Sequence, residues 1–128
     1  MSSQEINWLS TKNTDIPSGA QFVTLYNKDG VYSAFRILAN AKYYIPKHMH
    51  SYSNEYVSVI TGTIKMDCWV NGRKHSMVLT QGGFAKLDAK TFHALTFLAD
   101  NTQVEIHFEG KYNIIYANPS EDPRLSSK

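Results

Sequence analysis

The chain has 128 residues, with 42% hydrophobic and 19% charged, which is the size and composition of one globular domain and excludes a disordered chain. A formal charge of +2 is too small to recruit nucleic acid, and the one dense basic group, Arg73-Lys74-His75, follows Asn71-Gly72 and reads as an exposed turn. The single cysteine, Cys68, excludes an internal disulfide. The N-terminus lacks the basic and apolar regions of a secretion signal, and no apolar run approaches the roughly 20 residues that cross a bilayer. A soluble cytoplasmic protein is the expectation.

Residues 1–20 are polar and include Ile16-Pro17-Ser18-Gly19, a lead-in segment and not a helix. Gln21–Tyr26 and Val31–Leu38 are β-rich runs joined by Asn27-Lys28-Asp29-Gly30, where Asp-Gly is a hairpin signal. Tyr43-Tyr44-Ile45 leads to Pro46, which suits a strand edge or bend because it has no N–H to donate. Tyr56–Ile60 and Ile64–Val70 flank a tight Thr61-Gly62-Thr63 turn, and Asn71-Gly72 then leads into a strand over Ser76–Leu79. After Gln81-Gly82-Gly83 come strands over Phe84–Leu87, Phe92–Leu98 and Val104–Phe108, then a short one over Asn113–Ala117. No segment carries helical periodicity for two turns. About ten short strands with turn signals every 8–12 residues predict a sandwich or barrel. The division expected is a lead-in over 1–20, one all-β domain over 21–118 and a polar tail over 119–128.

The stretch that bears chemistry is His48-Met49-His50-Ser51-Tyr52-Ser53-Asn54-Glu55. Side chains alternate along a strand, so His48 and His50 share a face. Glu55 lies an odd number of residues beyond His50, so Ser51–Asn54 must turn or bulge if the carboxylate is to join them. Imidazole and carboxylate together suit zinc, iron, manganese or nickel.

His48-x-His50, four residues, Glu55, six residues and Gly62 resemble the first motif of the cupin superfamily. The stretch from Gly82 or Gly83 to His93 resembles the second. The resemblance implies a cupin-type double-stranded β-helix, a jelly-roll barrel, in which His48, His50, Glu55 and His93 hold one divalent metal ion. Lys42 stands where the first motif has a glycine, Asp88 and Lys90 where the second has Pro-x-Gly, and Phe97 where it has asparagine. Val104–Gly110, Tyr116–Pro119 and Asp122-Pro123-Arg124 resemble the end of small single-domain cupins related to the cupin domain of ChrR-type anti-sigma factors. The likeness spans residues 21–124.

The resemblance implies a metal-dependent, dioxygenase-like enzyme on a small organic substrate held in the barrel, or alternatively a non-enzymatic zinc module with a structural or sensory role. A six-coordinate ion on these four side chains keeps two open positions, whereas four-coordinate zinc is closed. A homodimer, paired through sheet edges, is expected. His107 is a candidate fifth ligand or proton shuttle, because Val104, Ile106 and Phe108 alternate to the other face. Glu105 and Glu109 share its parity. Tyr44, Tyr52, Met66, Cys68, Phe84 and Phe97 are core or pocket residues, Cys68 has no adjacent base to activate it, and Arg36 is expected on the surface.

Overall fold

The computed structural model describes residues 15–28 and 32–126. Among these residues ten strands form two five-stranded antiparallel sheets. One holds β1 (Ala20–Lys28), β2 (Tyr32–Ala39), β9 (Thr102–Phe108), β4 (Glu55–Thr61) and β7 (Phe84–Leu87), in that order. The other holds β10 (Ile115–Tyr116), β3 (Tyr44–Met49), β8 (Phe92–Phe97), β5 (Thr63–Val70) and β6 (Arg73–Thr80). From β2 onward the chain crosses repeatedly between sheets, the connectivity of the jelly roll that the motifs imply. The Asp29-Gly30 turn lies outside the described residues.

Each strand forms because its sequence alternates. On β9, Val104, Ile106 and Phe108 are buried while Gln103, Glu105 and His107 are only half-buried. On β4, Glu55, Val57 and Val59 point inward between Tyr56, Ser58 and Ile60. The inward rows meet in one core that includes Ile64, Phe97 and Phe108. Phe97, in place of the motif's asparagine, is fully buried and meets the edge of Tyr43 at 5.4 Å.

Three positions depart from the expected elements. The basic group Arg73-Lys74-His75 opens β6 and is not a turn, because Asn71 (φ 53°) and Gly72 (φ 76°) complete the reversal alone. The last strand shrinks to Ile115–Tyr116. The lead-in and tail also join the fold. Ile16 is buried in the core, Tyr43 donates to the Pro17 carbonyl at 2.6 Å, and Tyr116 donates to the Asp15 carbonyl at 2.5 Å. In the tail a 3-10 turn (Pro119–Glu121) and α1 (Pro123–Ser126) follow, and Arg124 ties them back by donating to Asp122 and, at 2.8 Å, to the Ile114 carbonyl.

Gly62 is fixed by space as well as by φ. At φ 86° a Cβ there would stand 2.1 Å from Thr102 Oγ1 and 2.7 Å from Thr102 Cα, and the second of these is backbone that cannot yield. Lys42 and Lys90 hold left-handed conformations, φ 79° and 68°, at places where the motifs carry glycine, so the backbone shape persists without it. For a residue with a Cβ that conformation costs roughly 1–2 kcal/mol, part of which glycine would lose again through unfolded-state entropy. Lys42→Gly and Lys90→Gly should therefore each stabilise the chain by about 0.5–1 kcal/mol. Gly62→Ala should destabilise it by roughly 2 kcal/mol or more. Denaturant melts of the three variants check both signs.

Candidate metal centre

Pro46 begins the site. It falls where the β3–β8 register shifts between Ile45 and His48, and its carbonyl accepts from His48 Nδ1 at 2.6 Å. Beyond the shift His48 lies directly across from His93 on β8. His50 follows one residue past the end of β3, and its carbonyl accepts from the N–H of left-handed Lys90 at 2.8 Å. The Ser51–Asn54 turn then carries the chain to the other sheet. Asn54 Oδ1 accepts from Ala89 N at 2.9 Å and Ser53 Oγ from Glu109 N at 2.9 Å, so Glu55 enters at the first position of β4 and faces inward.

His48, His50, Glu55 and His93 are each no more than 5% exposed. Ligand atoms of the three histidines lie within 4.8 Å of one another and could hold a metal ion. Glu55 Oε1 is 2.9 Å from His93 Nε2 and 3.2 Å from His50 Nε2. The other ring nitrogens fix the tautomers. Nδ1 of His48, His50 and His93 contacts the carbonyl of Pro46, Asn113 and Thr91 at 2.6, 2.5 and 3.0 Å. A carbonyl only accepts, so each Nδ1 carries the hydrogen, and in the neutral ring each Nε2 is a lone pair. The Nε2 atoms of His50 and His93 and Oε1 of Glu55 are buried without a hydrogen-bond partner. Lone pairs and a carboxylate oxygen meet there with no donor between them, and a cation satisfies such a set.

The titration tendencies agree with that geometry. Burial holds the His48 pKa well below the ordinary histidine value, and the neighbouring His93 and His50 add to it. Burial would raise Glu55, yet His93 and His50 outweigh it and hold the carboxyl well below the usual range. Burial would likewise lower His93, but Glu55 overrides it and the pKa is raised. A proton on His93 therefore competes with a metal ion. Affinity should be highest where His93 is already neutral, above its raised pKa, and should fall by roughly tenfold per pH unit below it. Metal titrations across pH 5–9 measure this slope.

A cavity of about 30 Å³ opens beside these four side chains, walled by Ile16, Phe35, Ile45, Phe108, Tyr112 and Ile114 among others. Phe108 meets the His50 ring edge-on at 4.6 Å, and Tyr116 packs against His48 at 5.6 Å.

Of the other sequence candidates, Met66 lines the cavity and Phe97 is core. Tyr44, Tyr52 and Phe84 are exposed and line nothing there. Cys68 is buried, and burial raises its thiol pKa, which makes it a poor nucleophile. His107 does not reach the cluster. It lies on the face opposite Ile106 and Phe108 and bonds Glu105 Oε2 at 2.6 Å, while Arg36 donates to Glu105 Oε1 at 2.7 Å. A catalytic role for His107 at this cavity is corrected by that placement.

Asn113 and Tyr112 were not legible in the sequence, since they join the site across 62 residues and more. Asn113 gives its carbonyl to His50 and its side-chain oxygen to Ser51 N at 2.8 Å. It thereby holds both the ring and the turn that follows it. Asn113→Ala keeps the carbonyl but frees the turn, and metal affinity should fall by about tenfold with the fold retained, as calorimetry and circular dichroism would show together.

No protein-family model matches the sequence, and no curated protein does. Solved structures do share its fold. Oxalate decarboxylase from Lactobacillus farciminis, solved as a formate complex, aligns at 14% identity and a TM-score of 0.67, over 78% of this chain and 32% of its own. An oxalate oxidase aligns at 14% and 0.68, over 88% and 63%. KdgF from Halomonas sp. aligns at 17% and 0.65, over 80% and 90%. The chain thus spans about a third of the decarboxylase and under two thirds of the oxidase, but nearly all of KdgF. At these identities the likeness establishes the fold, a cupin-type jelly roll, and leaves the chemistry to the site.

Proposed function

We propose that this chain is a metal-dependent cupin in which His48, His50, Glu55 and His93 hold one divalent ion, and that it is an enzyme acting on a small molecule in the barrel, oxygenase-like when the ion is iron. The observation that carries the reading is the convergence of buried, partnerless Nε2 and Oε1 atoms whose tautomers are fixed by backbone carbonyls. The ion would supply Lewis-acid or redox chemistry at its open positions. The chain's own residues do the rest. Pro46, Asn113 and Thr91 orient the rings through their carbonyls, Glu55 sets the local charge, and Phe108, Tyr112 and Tyr116 keep bulk water from the site.

A second reading keeps the same four ligands around a closed zinc ion with a structural or sensory role. It is favoured by the near-complete burial of the four side chains and by the C-terminal resemblance to ChrR-type cupins. Metal analysis of protein purified without a chelating tag separates the two. One equivalent of iron, manganese or nickel, lost in His50→Ala, is the expected result. One equivalent of zinc, with a melting temperature that drops steeply on chelation, would favour the structural reading. No bound metal in the parent chain would overturn both.

A further inference from the structure

The cavity beside the four ligands is selective in charge and in size. Among its described lining residues there is no Lys, Arg, Asn, Gln, Ser or Thr. Apart from the ligands, Tyr112 is the single polar side chain, and the rest are Ile, Phe, Val, Leu and Met. No Lys or Arg is among those lining residues, although Arg124 reaches the backbone carbonyl of Ile114 from outside at 2.8 Å. Lys47 lies over the Trp69 ring at 4.4 Å, Arg36 is held on Glu105, and Arg124 is held on Asp122.

From these walls we infer that the site selects, as ligand to its metal ion, a compact molecule that is uncharged or carries one charge, such as dioxygen, and rejects dicarboxylates. The inference rests on the metal reading above. A divalent ion with one carboxylate and three neutral imidazoles leaves one net positive charge. A monoanion cancels it and a neutral ligand leaves it as it was. A dianion such as oxalate places a second charge among apolar side chains with no cation, and with the Tyr112 O–H as the one side-chain donor besides the ligands, to meet it, and a buried charge so poorly partnered is strongly disfavoured. Volume acts in the same direction. About 30 Å³ corresponds to roughly two water-sized positions, beside the point where the ligand atoms converge. That space fits a ligand of about two heavy atoms. The walls in the way are Phe35, Phe108 and Tyr112, packed ring to ring at 5.1–5.9 Å. The activities of the oxalate-named fold relatives therefore do not transfer to this cavity.

The test uses the full chain loaded anaerobically with ferrous iron, its content fixed by metal analysis. Nitric oxide, a diatomic probe, is titrated with electron paramagnetic resonance as the readout, alone and against oxalate. The expected result is one nitric oxide bound per iron, with no change in the signal and no competition from oxalate at a hundredfold excess. Oxalate that shifts the signal or displaces nitric oxide overturns the inference and leaves the metal reading standing. A chain that takes up no iron overturns the inference, and one that takes up neither iron, manganese, nickel nor zinc overturns the metal reading as well. Phe35→Ala separates size from charge. Imidazole, neutral and larger, should then perturb the iron signal while oxalate still does not. Oxalate binding to that variant would overturn the charge argument.

Discussion

Acceptor atoms facing one another in an apolar interior are the constraint around which this barrel is arranged. Each buried polar atom left without a partner costs about 1–3 kcal/mol. Here two imidazole nitrogens and a carboxylate oxygen stand without one while lying close together. The fold does not relax them. It reinforces them, because three backbone carbonyls fix the tautomers that turn lone pairs inward. The same barrel without a cation would have to keep a proton between Glu55 and His93, which is the direction in which their titration is displaced.

The strain elsewhere serves that arrangement. The register shift at Pro46 brings His48 opposite His93. Lys90, held left-handed, donates its N–H to the His50 carbonyl. Lys42, also left-handed, donates to the Phe97 carbonyl and so steadies the start of β3 against the end of β8. Ile16 and Tyr112 close the apolar chamber from the two chain ends. Residues far apart in sequence thus converge on one small volume, and its apolar walls set what can enter.

Much of this was legible in the residues alone. Alternation along β4 and β9 and the Asn71-Gly72 turn specify strands and hairpin through local geometry, and strand parity puts His48 and His50 on one face, whereas Glu55 and His93 joined them through the resemblance to the cupin motifs. Lys42 and Lys90 hide the turns they make, because their left-handed backbone is imposed by the surrounding bonds and not by their own preference. His107 misled for a related reason. Strand parity separates it from Ile106 but does not say which side is the interior, and the Arg36–Glu105–His107 group settled outside. The lead-in looked polar, yet among its described residues, 15–20, Ile16 is a buried apolar side chain, too isolated there to form a pattern. Asn113 meets His50 through a backbone carbonyl, which every residue has, and Ser51 through a side-chain oxygen across 62 residues of sequence, so no local pattern marked it.

The most direct test of the central claim is anomalous X-ray scattering from a crystal of the metal-loaded chain. The account expects one strong peak where the histidine rings and Glu55 Oε1 converge, about 2.0–2.2 Å from Nε2 of His48, His50 and His93, with each Nδ1 still on its carbonyl. A metal ion bound elsewhere, or bound through Nδ1, would contradict it.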